Sequence, residues 1–134
     1  MTGGSDKESQ KAMVSCQRYD IQKDQWYHVA DLNKARRDHS SCALGDFVYV
    51  FGGPGSKQVL EWLDAKADLE GESVQWQKVE LPETIYQPRL AHLQERWFTL
   101  MVPFSENSIL IIGGYSKVGP LNDVWLFNTK LHSV

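Results

Sequence analysis

A strand-like apolar run that stops on a glycine pair occurs twice in this 134-residue chain. Phe47–Phe51 precedes Gly52-Gly53, residues 109–112 precede Gly113-Gly114, and the chain opens close to a third pair at positions 3 and 4. Both runs are apolar at consecutive positions, so each strand must be covered on its two faces. This pattern predicts stacked sheets built from a repeated unit.

The residues around each glycine pair also recur. A further extended run follows at positions 16–20, 60–64 and 124–128, and Trp26 and Trp76 come after the first two. Turn residues at 45–46 and 105–108 separate extended stretches at 40–44 and 98–104 from the apolar runs, which predicts two hairpins. No segment has a sustained helical period. The unit is therefore four short antiparallel strands, and the fold class is all-β.

The glycine pairs lie 49 and then 61 residues apart, and we assign the additional residues to loops at 65–71 and 87–96. An arginine- and histidine-bearing stretch, Arg36-Arg37-Asp38-His39, lies between Trp26 and the next hairpin. The matching place after Trp76 is assigned to Arg89-Leu90-Ala91-His92.

These residues resemble the kelch repeat, the unit of one class of β-propellers. The resemblance rests on the apolar strand with Gly-Gly, the aromatic and acidic residues that follow, and a tryptophan that begins the outer strand. The stretch Asn122-Asp123-Val124-Trp125 is an especially close match. The resemblance implies blades of four antiparallel strands, in which the glycines close the second strand and the outer tryptophan covers the rim between blades.

The chain departs from a whole propeller in its strand count. We expect two strands of one blade within 1–30, a complete blade within 31–81, and three strands of another within 82–134. About four to eight blades close a propeller, so the expectation is an incomplete propeller that belongs to a larger protein. The alternative is self-association through open blade edges, because copies would cover one another's unpaired strands.

Composition argues against several other classes. The net charge of −3 gives no bulk attraction to nucleic acid or to an anionic membrane. No run is long enough to span a bilayer, and the first ten residues lack the apolar core of a secretion signal, so we expect a cytoplasmic protein. Cys16 and Cys42 have no metal or redox spacing. The four histidines are scattered, so we expect no metal, no cofactor and no catalytic residue.

Kelch propellers usually bind partners at the loops that join strands two and three and at the loops between blades. Here those loops carry nine cations and six acids, whereas the opposite end carries eight acids and two lysines. Arginine forks recognise carboxylates and phosphates, so an acidic or phosphorylated peptide is the expected ligand. The alternative is that these charges solvate the surface and that Arg36 or Arg89 braces neighbouring blades. The predicted partner-binding residues are Lys34, Arg36, Arg37, His39, Lys57, Arg89, His92, Arg96 and Lys117.

The resemblance implies a protein–protein interaction module that acts as an adaptor or scaffold. Examples in the family are ubiquitin-ligase substrate receptors and cytoskeletal adaptors. The alternative from another class is part of a propeller enzyme, either a copper-radical sugar oxidase or a sugar epimerase. A third alternative is a structural part of a ring whose binding residues lie elsewhere. Since fold alone does not fix function, the choice depends on the site.

Overall fold

The computed structural model describes residues 1–57, 59–80 and 95–130. These residues form short strands and one short helix: β1 (Cys16–Asp20), β2 (Gln25–Val29), β3 (Ser40–Leu44), β4 (Phe47–Phe51), β5 (Val59–Asp64), α1 (Ala65–Leu69), β6 (Gln77–Glu80), β7 (Leu100–Ser105), β8 (Ser108–Ser116) and β9 (Gly119–Asn128). The all-β prediction is confirmed at this level. No helix within the described residues is both long enough and apolar enough to cross a membrane.

The strands form three antiparallel sheets in chain order. The first sheet pairs β1 with β2, the middle sheet has the order β3-β4-β5-β6, and the third sheet has the order β7-β8-β9. Two, four and three strands are the numbers predicted for the three units. Both predicted hairpins are present, with Leu44 opposite Phe47 in one and Ser105 opposite Ser108 in the other. The proposed unit boundaries stay a prediction, and the one near residue 81 lies outside the described residues.

The middle sheet is covered on both of its faces. Tyr49 and Phe51 pack in one buried cluster with Met101 and Ile109 of the third sheet. Val50, on the opposite face of the same strand, packs with residues of the first sheet in a second cluster. In Phe47–Phe51 the aromatic side chains point to one face and the valines to the other. The third sheet covers the aromatic face and the first sheet covers the valine face, so the predicted burial of both faces is confirmed.

The tryptophan directly before β6, the fourth strand of the middle sheet, closes the junction between the first two sheets. Trp76 is buried, and its indole Nε1 donates to the carbonyl oxygen of Ala30 at 2.8 Å, in the segment that leaves the first sheet. The side-chain nitrogen Nδ2 of Asn33 donates in turn to the carbonyl of Trp76 at 2.6 Å. Trp76 thus covers the rim between the first two sheets, as expected, whereas Trp26, the other predicted outer tryptophan, is 55% exposed.

A short helix replaces part of a predicted loop. Residues 65–71 were expected to be irregular, but Ala65–Leu69 form α1. Asp64 ends β5 and caps the helix, because its side chain accepts a hydrogen bond from the backbone N–H of Ala67 at 2.9 Å. A five-residue helix is too short to show a periodic pattern, so the sequence could not predict it.

The glycine pair after β4 is required by close backbone contacts. A Cβ atom on Gly52 would lie 2.8 Å from the carbonyl oxygen of Arg96, and one on Gly53 would lie 2.6 Å from that of Arg37. Both glycines also have positive φ, at 89° and 94°. The space beside the glycines is therefore taken by the backbone of the inter-sheet segments.

Candidate protein-binding loops

The loops that follow the glycine pairs lie at one end of the sheets together with the segments between sheets. We call this the loop end, and its described residues are 5–13, 31–38, 54–57, 95–96 and 115–121. Arg37 Nη1 donates to the carbonyl of Gln10 at 3.0 Å, which joins the first two loops. Glu95 accepts a hydrogen bond from Gly55 N–H and lies 4.0 Å from Lys117 Nζ. Successive loops are therefore in contact along this end.

Arg36 is buried at the base of the loop end. Its Nη1 donates to the carbonyl of Gly52 at 2.8 Å, and its Nη2 donates to that of Val59 at 2.7 Å. Its Nε donates to Glu61 at 3.0 Å, and both side chains are completely buried. Burial lowers the pKa of Arg36 and the charge of Glu61 opposes that shift. These hydrogen bonds let Arg36 stabilise the loop end. Because its side chain has no exposed surface, it cannot contact a partner in this structure.

Arg96 occupies the same position one sheet further on. Its Nη1 donates to the carbonyl of Gly113 at 3.0 Å, and its two Nη atoms lie 2.7 and 2.9 Å from the two carboxylate oxygens of Asp123. Burial raises the pKa of the Asp123 carboxyl, but hydrogen bonds from Arg96 and Trp125 outweigh it and hold the pKa below its ordinary value. Arg96 is also fully buried, so its side chain, like that of Arg36, cannot contact a partner in this structure.

Backbone geometry shows that Arg36 and Arg96 are equivalent. The carbonyl of Arg36 accepts from Gly4 N–H at 2.8 Å, and that of Arg96 accepts from Gly53 N–H at 2.9 Å. The residue two positions later has a positive φ in both cases, at 53° and 54°. The sequence match of Arg36 with Arg89 was therefore wrong. Arg89 and His92 lie outside the described residues, and their predicted roles stay untested.

The remaining predicted contacts differ in exposure. Lys57 and Lys117 are exposed, while Lys34 and Arg37 are half-buried. With the two buried arginines removed, the described loops carry six cations against five acids: Lys7, Lys11, Lys34, Arg37, Lys57 and Lys117 against Asp6, Glu8, Asp31, Asp38 and Glu95. The cationic excess at the loop end is thus smaller than the sequence suggested, because Glu61 and Asp123 neutralise two arginines internally.

His39 lies against the first glycine pair rather than on the outer surface. Its Nε2 is 3.1 Å from Oγ1 of Thr2, and a Cβ on Gly3 would approach the ring at 3.1 Å. Burial lowers the pKa of His39, and the positive charge of Arg36 lowers it further. Both effects favour the neutral ring, and its contact with Thr2 joins the segment before the first sheet to the start of the middle sheet.

Both cysteines are packed within the protein, and burial disfavours the ionised form of their thiols. Both are free thiols, and burial raises the pKa of Cys16 and raises that of Cys42 to about 11. Within the described part of the chain, no group of three or more histidine, cysteine, aspartate or glutamate side chains could hold a metal ion.

Comparison with known proteins gives a distant relative. No protein-family model matches the chain. A stretch of 51 residues is 33% identical to Kelch-like protein 22 of Xenopus tropicalis. The matched stretch is 38% of this chain and 8% of that relative, so the chain spans only a small part of the relative's length. Together with antiparallel sheets of up to four strands, this similarity supports a distant kelch-type relationship.

Proposed function

We propose that the chain is a protein-interaction module whose loop end contacts a partner. The observation that carries this proposal is the bracing of that end by Arg36 and Arg96, which donate to both backbone and carboxylate groups. Binding residues are commonly found on loops that a rigid scaffold holds in place. Loops fixed before binding lose little conformational entropy when a partner arrives. The role we propose is that of an adaptor or scaffold, for example a ubiquitin-ligase substrate receptor or a cytoskeletal adaptor, and the distant kelch-type similarity supports it.

The contact surface proposed is the exposed part of three adjacent loops. Arg37 contacts the first loop through Gln10, and its carbonyl oxygen lies against Gly53, at the start of the loop that carries Lys57. Lys34 lies three residues before Arg37 in the same inter-sheet segment. These three cations, with Lys117 beyond Glu95, are the groups that would receive an acidic or phosphorylated peptide.

Arg37 is the principal contact in this proposal. Its guanidinium is partly exposed, and Nε lies 3.8 Å from Asp38, a loose ion pair across exposed groups that a ligand carboxylate or phosphate could replace. A guanidinium binds such groups through two parallel hydrogen bonds, which a lysine cannot do. The ligand predicted is therefore a short peptide with carboxylates or phosphates at closely spaced positions.

A peptide array tests this function directly. The purified chain is applied to acidic peptides, to phosphorylated peptides and to neutral versions of the same sequences. The Arg37→Ala/Lys57→Ala double variant should lose about tenfold or more in affinity for the charged peptides. The matched control is Lys23→Ala/Lys66→Ala, which removes the same number of positive charges from the opposite end and should bind normally. Equal binding by both double variants, or no preference for charged peptides, would contradict the peptide proposal.

Self-association is a second candidate, and the third sheet favours it. On the face that points away from the middle sheet, Leu100 lies opposite Ile112, and Ile112 lies opposite Val124. Leu100 and Val124 are 55% and 60% exposed. An aliphatic face of this kind is stabilised by a second apolar face, and a second copy is the occupant proposed. Native mass measured across protein concentration tests it: a Val124→Lys variant should shift the equilibrium towards monomer, and a monomeric parent chain would contradict it.

A further inference from the structure

A glutamate beside one of the buried arginines bridges two loops of the loop end. Glu95 directly precedes Arg96, and one oxygen of its carboxylate accepts a hydrogen bond from the backbone N–H of Gly55, in the loop after β4. The other oxygen lies 4.0 Å from Nζ of Lys117, between β8 and β9. A backbone donor and a lysine therefore converge on one acidic group of the protein itself.

Both groups that hold the Glu95 carboxylate lie at the surface. Gly55 is exposed, and a Cβ atom added to it would meet no described atom within 4 Å. The side chain of Lys117 is 81% exposed, whereas that of Glu95 is 22% exposed. A ligand can therefore reach the N–H of Gly55 and the ammonium of Lys117 once the Glu95 side chain moves away from them.

The loop that carries Gly55 is fixed by contacts other than the one with Glu95. Ser56 is fully buried, and its Oγ donates to the carbonyl of Gly53 at 2.6 Å. The backbone N–H of Ser56 donates to the same carbonyl at 3.1 Å, and the N–H of Gly53 donates to the carbonyl of Arg96 at 2.9 Å. These hydrogen bonds hold the base of the loop, so the Glu95 carboxylate adds a contact only at its exposed part.

The charge of Glu95 opposes the binding of an acidic ligand at this end. The described loops carry six cations against five acids, and Glu95 is one of the five. It neutralises Lys117 directly, and Lys57 lies only two residues after Gly55. Electrostatic complementarity favours a partner of opposite charge. A site that an internal group already occupies binds its ligand with reduced apparent affinity, because only the open fraction is competent.

From this geometry we infer that the N–H of Gly55 and the ammonium of Lys117 form a subsite for one carboxylate or phosphate of the ligand, with Glu95 as its internal competitor. The inference rests on the proposed binding of an acidic peptide at the loop end. When the peptide binds, the Glu95 side chain turns towards solvent and the acidic group of the ligand accepts the hydrogen bond from Gly55. Arg37, which lies against the start of the same loop, stays the principal contact and binds another acidic group of the peptide.

A purely structural role for Glu95 predicts an effect of the opposite sign. If its contact with Gly55 served only to hold the loop in the form that binds, loss of the carboxylate would loosen the loop and weaken the ligand. If Glu95 competes with the ligand, loss of its charge strengthens binding. The direction of the change in affinity therefore distinguishes the two roles.

The test measures how tightly the whole chain binds a defined peptide, Gly-Glu-Glu-Ser-Glu-Gly with blocked ends, in its plain and phosphoserine forms. Calorimetry at low ionic strength is suitable, because exposed charges are then least screened. Glu95→Gln keeps an oxygen that can accept from Gly55 but removes the charge, so it should bind both forms about fivefold more tightly than the parent chain.

The matched control is Glu8→Gln, the same substitution at an exposed residue of the first loop of the same end. It should bind within about twofold of the parent chain, since it removes one negative charge without opening the subsite. Weaker binding by Glu95→Gln, or equal affinities for Glu95→Gln, Glu8→Gln and the parent chain, would overturn the inference.

The amide signal of Gly55 separates failure of this inference from failure of the proposed function. Titration of the parent chain with the phosphoserine peptide, followed by NMR, should shift this signal with the same saturation as the binding measured by calorimetry. Binding that the Arg37→Ala/Lys57→Ala variant loses, but that leaves the Gly55 amide unmoved, would overturn the subsite and keep the proposed function. If neither the parent chain nor Glu95→Gln binds either form of the peptide, both the inference and the acidic-peptide function are wrong.

Discussion

The first three strands of the middle sheet match the three strands of the third sheet, but within the described residues the middle sheet alone is covered on both faces. Leu60 of β5 and Val124 of β9 hold equivalent positions opposite the residue that precedes the glycine pair. Leu60 is 0% exposed, while Val124 is 60% exposed. The difference comes from what lies opposite: Met101, Ile109 and Ile111 of the third sheet cover the face that carries Leu60. An apolar pattern thus shows which faces need a neighbour, and the assembly decides which of them have one.

The middle and third sheets pair their buried inter-sheet arginines with different acidic residues. Each has an inter-sheet arginine that donates to the carbonyl of the first glycine of its pair. In the middle sheet the acid is Glu61, which is fully buried, and in the third sheet it is Asp123, whose side chain is 19% exposed. Glu61 lies opposite Val50 and Trp125 lies opposite Ile111, so Glu61 and Trp125 hold equivalent positions in the two sheets. Asp123 lies two residues before Trp125, on the same face of β9. The arginine position is shared, while the position and length of its partner vary.

The largest expected difference between the sheets is at these arginines. Arg36→Met should lower the free energy of unfolding by about 3–5 kcal/mol, because it leaves a buried carboxylate without its partner. Arg96→Met should cost less, about 2 kcal/mol, since Asp123 is partly hydrated and loses mainly charged hydrogen bonds. Urea unfolding monitored by tryptophan fluorescence measures both. Arg37→Met is the adjacent half-buried control and should cost less than about 1 kcal/mol; equal losses for all three would show that the braces are equivalent to surface ion pairs.

The covered and open faces predict a second difference. Leu60→Ala should cost about 2–5 kcal/mol because it leaves a cavity in the core. Val124→Ala, at the equivalent position of the third sheet, should stay within about 0.5 kcal/mol because water already reaches the side chain. The same urea experiment applies, at low protein concentration. A large loss for Val124→Ala would mean that its face is covered in solution, as self-association requires.

A smaller difference between the two sheets is expected in how the stability of the protein depends on pH. His39 is matched in the third sheet by Thr99, which does not titrate. Burial and then Arg36 lower the pKa of His39 in the folded protein, so folding favours the neutral ring. Its contribution to stability should be fully present above pH 7 and should decline as pH falls through about 6.5, the ordinary value for the unfolded chain. His39→Thr should flatten stability between pH 7 and pH 6, and an unchanged pH slope would contradict this assignment.

Sequence patterns predicted the strands because these depend on local information. Apolar runs, glycine pairs and turn residues specified both hairpins and the two-faced burial of Phe47–Phe51, which is confirmed. The direction of a charged side chain does not follow from such patterns. Arg36 was predicted as a partner contact, with bracing of neighbouring blades as the alternative, and Glu61 within the apolar run of β5 was the signal that favoured the alternative.

The match between repeats failed at the arginines for a different reason. Arg89 was chosen because a histidine follows it by three residues, as one follows Arg36. The distance to the next glycine pair was the better signal. Arg36 lies 16 residues before Gly52 and Arg96 lies 17 residues before Gly113, whereas Arg89 lies 24 residues before it. Hydrogen bonds to a fixed turn constrain spacing, and a shared neighbouring residue does not.

The most direct test of this account is a double-mutant cycle on Arg36 and Glu61, since the braced loop end depends on their interaction. Urea unfolding is measured for the parent chain, Arg36→Met, Glu61→Leu and the double variant. We predict large losses for each single variant and a double variant that recovers much of them, with a coupling energy of about 2 kcal/mol or more. Small, additive losses in the free energy of unfolding would contradict the account. They would indicate that Arg36 is exposed in solution, where a partner could contact it.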